Sequence, residues 1–127
     1  MKKKRILLVD DETSFTRLLK MNLEQTGDYQ VREVNQGILA LSAVEEFKPD
    51  LILMDVIMPD MDGGSIAGRL KDEGRLKDIP IIFLTAAVSK EEAYQTQGVI
   101  GGNMFIAKPV NLEKLLESIK SHLVERV

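Results

Sequence analysis

With 127 residues, 44% hydrophobic and 29% charged, the chain has the size and make-up of one ordinary globular domain with room for a core. Its 17 basic and 20 acidic residues leave a net charge of −3 with both signs interspersed, which argues against a nucleic-acid-binding surface. It has no cysteine, so disulfides, thiolate chemistry and cysteine zinc sites are excluded, and no apolar run approaches the ~18 residues of a membrane span. A cytoplasmic protein without membrane contact is expected.

The basic run Lys2-Lys3-Lys4-Arg5 reads as a solvated lead-in to a first strand over 5–9. Phe15, Leu18, Leu19 and Leu23 then stand at helical spacing and predict a helix over 14–25, with Gly27 as its stop. Tyr29, Val31 and Val34 read as one apolar face of an edge strand over 29–34. Ile38, Leu41, Val44 and Phe47 predict a helix over 36–47, ended by Pro49. Leu51 to Met54, between Pro49 and the turn Pro59-Asp60-Met61-Asp62-Gly63, reads as a buried strand.

A weak helix is expected over 65–72, loosened by Gly68 and closed by Gly74, followed by an apolar strand over 79–84. Ser89-Lys90-Glu91-Glu92 matches a capping box, and the short helix behind it has few large apolar residues beyond Tyr94. Gly98 reads as its stop and Gly101-Gly102 as a loose loop before a fifth strand over 103–107. Asn111 caps a last helix whose Leu112, Leu115, Leu116, Ile119 and Leu123 form one stripe. His122, the sole histidine, reads as a surface residue, since no second one exists to share a metal.

Five apolar strands alternating with five helices demand parallel pairing and right-handed crossovers, with helices on both faces of the sheet. One domain over 1–127 is expected, without linker or repeat. Loops after the strands of such a sheet gather along the edge where its ligand crevice lies. They carry Asp10 and Asp11, Asp55, Thr85 and Lys108, the second strand being the exception. Three carboxylates in a partly buried cleft repel one another unless a cation relieves them, and Mg²⁺ suits carboxylates plus phosphate oxygens. Lys108 offers a compact ammonium to a phosphate and Thr85 a hydroxyl donor. Together they read as a phosphoryl-transfer site with Asp55 as nucleophile.

From Lys4 to about Val124 the chain resembles the receiver domain of bacterial two-component response regulators, of the chemotaxis-regulator-like kind. The matching motifs are Ile6-Leu7-Leu8-Val9-Asp10-Asp11-Glu12, Leu51-Ile52-Leu53-Met54-Asp55 with Met58-Pro59 and Asp62-Gly63, Ile81-Ile82-Phe83-Leu84-Thr85-Ala86, and Phe105-Ile106-Ala107-Lys108-Pro109. The resemblance implies a flavodoxin-like (βα)5 three-layer sandwich, α/β in class, with a five-stranded parallel sheet in the order 2-1-3-4-5. It implies that Asp55 is the phosphoacceptor, taking a phosphoryl group from a sensor-kinase phosphohistidine. Asp11 and Asp55 would bind Mg²⁺ directly with the main-chain carbonyl of Ile57, and Asp10 would hold a metal-bound water. Lys108 would contact Asp55 and later the phosphoryl oxygen; Thr85 would swing toward that oxygen and Phe105 would rotate inward. Phe105 also reads as plain core, and Lys108-Pro109 resembles the family's cis peptide.

The implied partners are a sensor histidine kinase or phosphotransfer protein, and a downstream protein target or fused effector. The domain would be a monomer or a phosphorylation-dependent homodimer, and no enzyme beyond its own aspartyl phosphorylation and dephosphorylation. Its output face would comprise the helix after Ser89, the fifth strand and the last helix. Apolar Ile57 and Ala87 stand where many family members carry polar residues, which predicts slow self-dephosphorylation.

An aspartate-nucleophile phosphatase of the dehalogenase type would need a second Asp where Ile57 stands. A flavin-binding domain would want a Ser/Thr/Gly-rich phosphate loop where Asp10-Asp11-Glu12 stands. A non-phosphorylated scaffold receiver sits poorly with a complete set of Asp10, Asp11, Asp55, Thr85 and Lys108. A stand-alone receiver and the excised N-terminal domain of a DNA-binding transcriptional regulator both stay open.

Overall fold

Apolar strands and amphipathic helices alternate along the chain as their residue spacing predicts. The computed structural model describes residues 2–61, 63–72, 78–86, 99–100 and 103–124. Its elements are β1 (Lys4–Val9), α1 (Thr13–Gln25), β2 (Tyr29–Val34), a 3-10 turn (Gly37–Leu39), α2 (Ala40–Phe47), β3 (Leu51–Met54), α3 (Gly63–Asp72), β4 (Ile81–Thr85), β5 (Val99–Ile100), β6 (Asn103–Ala107) and α4 (Leu112–Val124). The helix expected behind Ser89, with Ala87, Gly74, Gly98 and the Gly101-Gly102 pair, lies outside the described residues.

Strands β2, β1, β3, β4 and β6 pair in parallel in that spatial order, which is the expected 2-1-3-4-5 arrangement with β6 as its fifth member. One strand goes beyond that expectation. The two-residue β5 pairs antiparallel with β6, Ile100 opposite Asn103, at the sheet edge. Val99 and Ile100 are too short an apolar run to stand out as a strand in the sequence.

Period-two alternation sorts the sheet into two cores. Leu7, Val9, Ile52, Met54 and Phe83 pack with Ala40, Ala43 and Val44 of α2 and Ile66, Ala67 and Leu70 of α3. Ile6, Leu8, Leu51, Leu53, Ile82 and Leu84 pack with Leu19 and Leu23 of α1 and Leu115 and Ile119 of α4. On β2 the expected face needs correcting: Tyr29 and Val31 join the α1 core, but Val34 joins the other, because 29, 31 and 33 share one side. Glu33 is therefore the third residue of the Tyr29 face.

Local signals set the ends. Gly27 takes φ +83, the left-handed conformation that stops α1. The helix expected over 36–47 opens as the 3-10 turn, and ends with Lys48 left-handed before Pro49. Asn111 Oδ1 accepts the Lys114 N–H at 3.1 Å and caps α4, a bond worth roughly 1 kcal/mol. Arg5 packs its guanidinium 5.5 Å above the Phe47 ring and donates to the Phe47 carbonyl, so the basic lead-in becomes structural by its fourth charge. His122, half-buried, lies with Nδ1 2.7 Å from the Ser118 carbonyl.

Candidate functional site at the carboxyl edge of the sheet

Register assembles the site. Val9 pairs with Met54, so Asp10 and Asp55 leave the sheet side by side, and the Asp55 N–H donates to the Val9 carbonyl at 2.9 Å. Thr85 pairs with Ala107, so Lys108 follows one step beyond, its N–H donating to the Thr85 carbonyl at 3.1 Å. The alternation places Thr85 on the same side as Phe83 and Phe105, opposite the α1 core. The Lys108-Pro109 peptide is cis.

The loop after Asp55 folds back tightly: the Gly63 N–H donates to the Val56 carbonyl at 2.7 Å. A Cβ at Gly63 would fall 2.3 Å from the Asp55 carbonyl oxygen, so only glycine fits there. Farther along, Asp60 accepts the N–H groups of Gly37 and Ile38, both at 3.0 Å, tying this loop to the start of the 3-10 turn. Those bonds, the Ile38 one foremost, hold the Asp60 carboxyl below the usual aspartate value.

Lys108 Nζ donates to Asp10 Oδ2 at 2.6 Å, to Glu12 Oε1 at 3.3 Å and to Asp55 Oδ2 at 3.5 Å, and sits 4.4 Å from the Phe15 ring centroid. Asp10 is 3% exposed, Asp55 7% and Thr85 1%. Burial raises the Asp10 carboxyl above its ordinary value, against the Lys108 and Glu12 N–H bonds that lower it, and Asp55 adds repulsion. Burial would lower Lys108, but its bond to Asp10 and the charges of Asp10 and Asp55 outweigh it and raise the ammonium. The two partners thus shift in senses that a simple pair would not give. The 2.6 Å contact has ion-pair geometry, and Asp10 is nonetheless raised because its burial outweighs what an ammonium shared with Glu12 and Asp55 gives back.

Asp10, Asp11 and Asp55 bring carboxylate oxygens within 4.8 Å of one another, Asp11 being the exposed member. An all-oxygen set of this charge fits a hard divalent cation such as Mg²⁺, and the raised Asp10 is the strain such an ion would relieve. The Ile57 N–H donates to Asp55 Oδ1 at 3.3 Å, while its side chain is 64% exposed beside the cleft.

The sequence-derived residues Asp10, Asp11, Asp55 and Lys108 therefore meet at one point, with Thr85 on the adjoining strand end. Phe105, half-buried and three residues before Lys108 on β6, stacks on Phe83 with ring centroids 5.0 Å apart. Two contributors go beyond the sequence reading. Glu12 shares the ammonium, and Asn35, directly after β2, donates to the Asp10 carbonyl at 2.8 Å. The second strand, expected to stand apart, does reach the site; an Asn directly after its last strand residue is the available signal. Beside Lys108, Phe15, Leu18, Leu19, Pro109, Val110 and Leu112 line a mostly apolar groove of about 570 Å³.

A sequence profile of the response regulator receiver domain matches residues 6–120. Over 121 residues the chain is 35% identical to the polar-differentiation response regulator DivK of Brucella anthropi, covering 94% of this chain and 96% of that one. It is 32% identical over 119 residues to the DNA-binding dual master transcriptional regulator RpaA of Synechocystis, of which it spans only 48% while 94% of this chain is matched. Among solved structures, a CheY-like response regulator receiver domain protein from Methanospirillum hungatei superposes with a TM-score of 0.79 at 33% identity, covering 98% and 96% of the two chains. Chemotaxis protein CheY4 of Vibrio cholerae gives 0.79 at 29% identity, with 94% and 98% covered.

Proposed function

Because the chain belongs to the response regulator receiver domain family, we propose that it is a phosphorylation switch whose acceptor is Asp55, the whole of 1–127 acting as one receiver domain. The donor is a phosphohistidine on a sensor histidine kinase or phosphotransfer protein. A carboxylate oxygen of Asp55 bonds to phosphorus as the phosphorus–nitrogen bond breaks, and that bond's electron pair returns to the imidazole. Asp11, Asp55 and the Ile57 carbonyl would hold Mg²⁺, with Asp10 beside them to hold a metal-bound water. When bound, such an ion would supply positive charge against the carboxylates and the phosphoryl oxygens.

The protein's own groups do the rest. Lys108 moves from Asp10 to the phosphoryl group, which it meets as a point charge already within 3.5 Å of the Asp55 oxygen. Thr85 turns its hydroxyl to a phosphoryl oxygen and Phe105, diagonal to it on the same sheet face, fills the space behind. The added group, nearly two charges and three acceptor oxygens, biases the output face of β6, α4 and the segment after Ser89. The apolar groove beside Lys108 gives a protein donor a surface next to the chemistry.

The single observation that carries this is the ammonium of Lys108 within bonding reach of Asp10 and Asp55, with Asp11 completing the cluster. A domain of this kind modifies itself, acts on a protein target or fused effector, works as a monomer or phosphorylation-dependent dimer, and resides in the cytoplasm; among the described residues no helix is long and apolar enough to cross a membrane. The test is to phosphorylate the chain with a small phosphodonor and Mg²⁺, reduce the acyl phosphate with borohydride and map the product. Homoserine at position 55 supports the proposal; modification elsewhere, or none in a chain that binds Mg²⁺, overturns it.

A further inference from the structure

Asn35 is half-buried at the end of β2, and its Nδ2 donates to the main-chain carbonyl of Asp10 at 2.8 Å and to Thr16 Oγ1 at 3.0 Å. Thr16 is wholly buried in α1, its hydroxyl 2.7 Å from Glu33 Oε2 and 3.1 Å from the Thr13 carbonyl. A hydroxyl has one proton, and the nearer and charged acceptor, Glu33, takes it. The Thr16 oxygen is then left to accept, so only the nitrogen of the Asn35 amide can face both it and the Asp10 carbonyl. The result is a directed relay from Asn35 through Thr16 to Glu33, with the second Asn35 proton spent on Asp10.

That carbonyl belongs to the peptide joining Asp10 to Asp11. On the other side of the residue, the Asp10 N–H donates to the Val34 carbonyl at 3.0 Å. The Asp10 side chain is held as well, Oδ1 by the Glu12 N–H at 2.9 Å and Oδ2 by Lys108. Among the described residues, every hydrogen-bond support of Asp10 except Asn35 comes from backbone or from Lys108, which the chemistry requires to move. Among the described residues Asn35 is the one other side chain bonded to Asp10, and through that carbonyl it bears on the peptide plane from which the Asp10 and Asp11 carboxylates both spring.

We propose that Asn35, backed by Thr16 and Glu33, is a positioning residue for the cation site: it holds the Asp10–Asp11 peptide in the orientation that brings both carboxylates to Mg²⁺. This deepens the function proposed above and rests on it. Mg²⁺ demands near-octahedral geometry, whereas Ca²⁺ accepts irregular oxygen sets, so a loosened peptide harms Mg²⁺ more. Loss of such supporting groups weakens metal affinity by about 10–100-fold.

The test is calorimetric titration of Mg²⁺ and of Ca²⁺ into the native chain, Asn35→Ala and Thr16→Val, with unfolding measured in chelator. The expected result for Asn35→Ala is a Mg²⁺ dissociation constant raised about tenfold, a smaller change for Ca²⁺, and the same trend in weaker form for Thr16→Val. Unchanged Mg²⁺ affinity in a folded Asn35→Ala overturns the positioning role. So does equal weakening toward both ions, which a merely structural defect would give. Should Asn35→Ala not fold, the near-isosteric Thr16→Val decides between the same outcomes. A native chain that binds no Mg²⁺ removes the proposed function itself, whereas native binding with unaffected variants removes only the role of Asn35.

Discussion

Lys108 Nζ is closer to Asp10 than to Asp55, at 2.6 Å against 3.5 Å, so the ammonium is bonded first to the carboxylate that borders the cation site. A divalent cation and the ammonium compete there for the same oxygens. Lys108→Met is expected to tighten Mg²⁺ binding several-fold, read by calorimetry, while slowing phosphorylation by a small donor about 100-fold, the usual loss for one charge-stabilising group. Weaker Mg²⁺ binding in that variant would mean that Lys108 supports the site rather than competing for it.

Two glycines of α3 should respond in opposite directions. Gly63→Ala places a Cβ 2.3 Å from the Asp55 carbonyl oxygen, so the backbone carrying the acceptor must move. A loss of about 1–3 kcal/mol in urea unfolding is expected, with slower phosphorylation. Gly68 has nothing within 4 Å of its would-be Cβ, so Gly68→Ala should gain about 0.5–1 kcal/mol and leave phosphorylation unchanged.

Asp60 makes stability depend on acid. Its two bonds from the Gly37 and Ile38 N–H groups hold its folded pKa below the unfolded value near 3.8. A depressed carboxyl contributes stability that is fully present above the unfolded pKa and is lost as pH falls through the folded one. Asp60→Ala should therefore be less stable than the native chain at neutral pH, and the gap should close only below pH 3.8. A pH series of thermal midpoints checks this, and a gap that closes above that value contradicts it.

Most of this architecture is legible in the chain because continuous apolar runs in β1, β3 and β4 are the mark of strands buried on both sides. The polar residue at each run's end then falls at one sheet edge, so the sequence alone locates Asp10, Asp55, Thr85 and Lys108. Asn35 escapes such a reading because its contribution is a bond to main chain, and periodicity says nothing about which carbonyl an amide will meet. Val34 falls on the face opposite Tyr29 because strict alternation, and not apolar character, decides where a strand residue points. Glu12 looks like part of the acidic motif, and its hold on Lys108 depends on the α1 entry geometry.

Ile57 flanks the cleft with an apolar, largely exposed side chain where a polar one could guide a hydrolytic water. The phosphorylated chain should outlast phosphorylated Ile57→Asn by several-fold, followed by loss of the mass adduct over time. A native lifetime of seconds, or equal lifetimes for the two, would show that this position does not set the rate.

The most direct test of the Asp55 switch is intact mass after incubation with acetyl phosphate, with and without Mg²⁺, on the native chain and on Asp55→Asn. The expected result is one added phosphoryl group on the native chain, dependent on Mg²⁺ and absent from Asp55→Asn. An adduct of equal size on Asp55→Asn, or none on the native chain under conditions that preserve acyl phosphates, would contradict it.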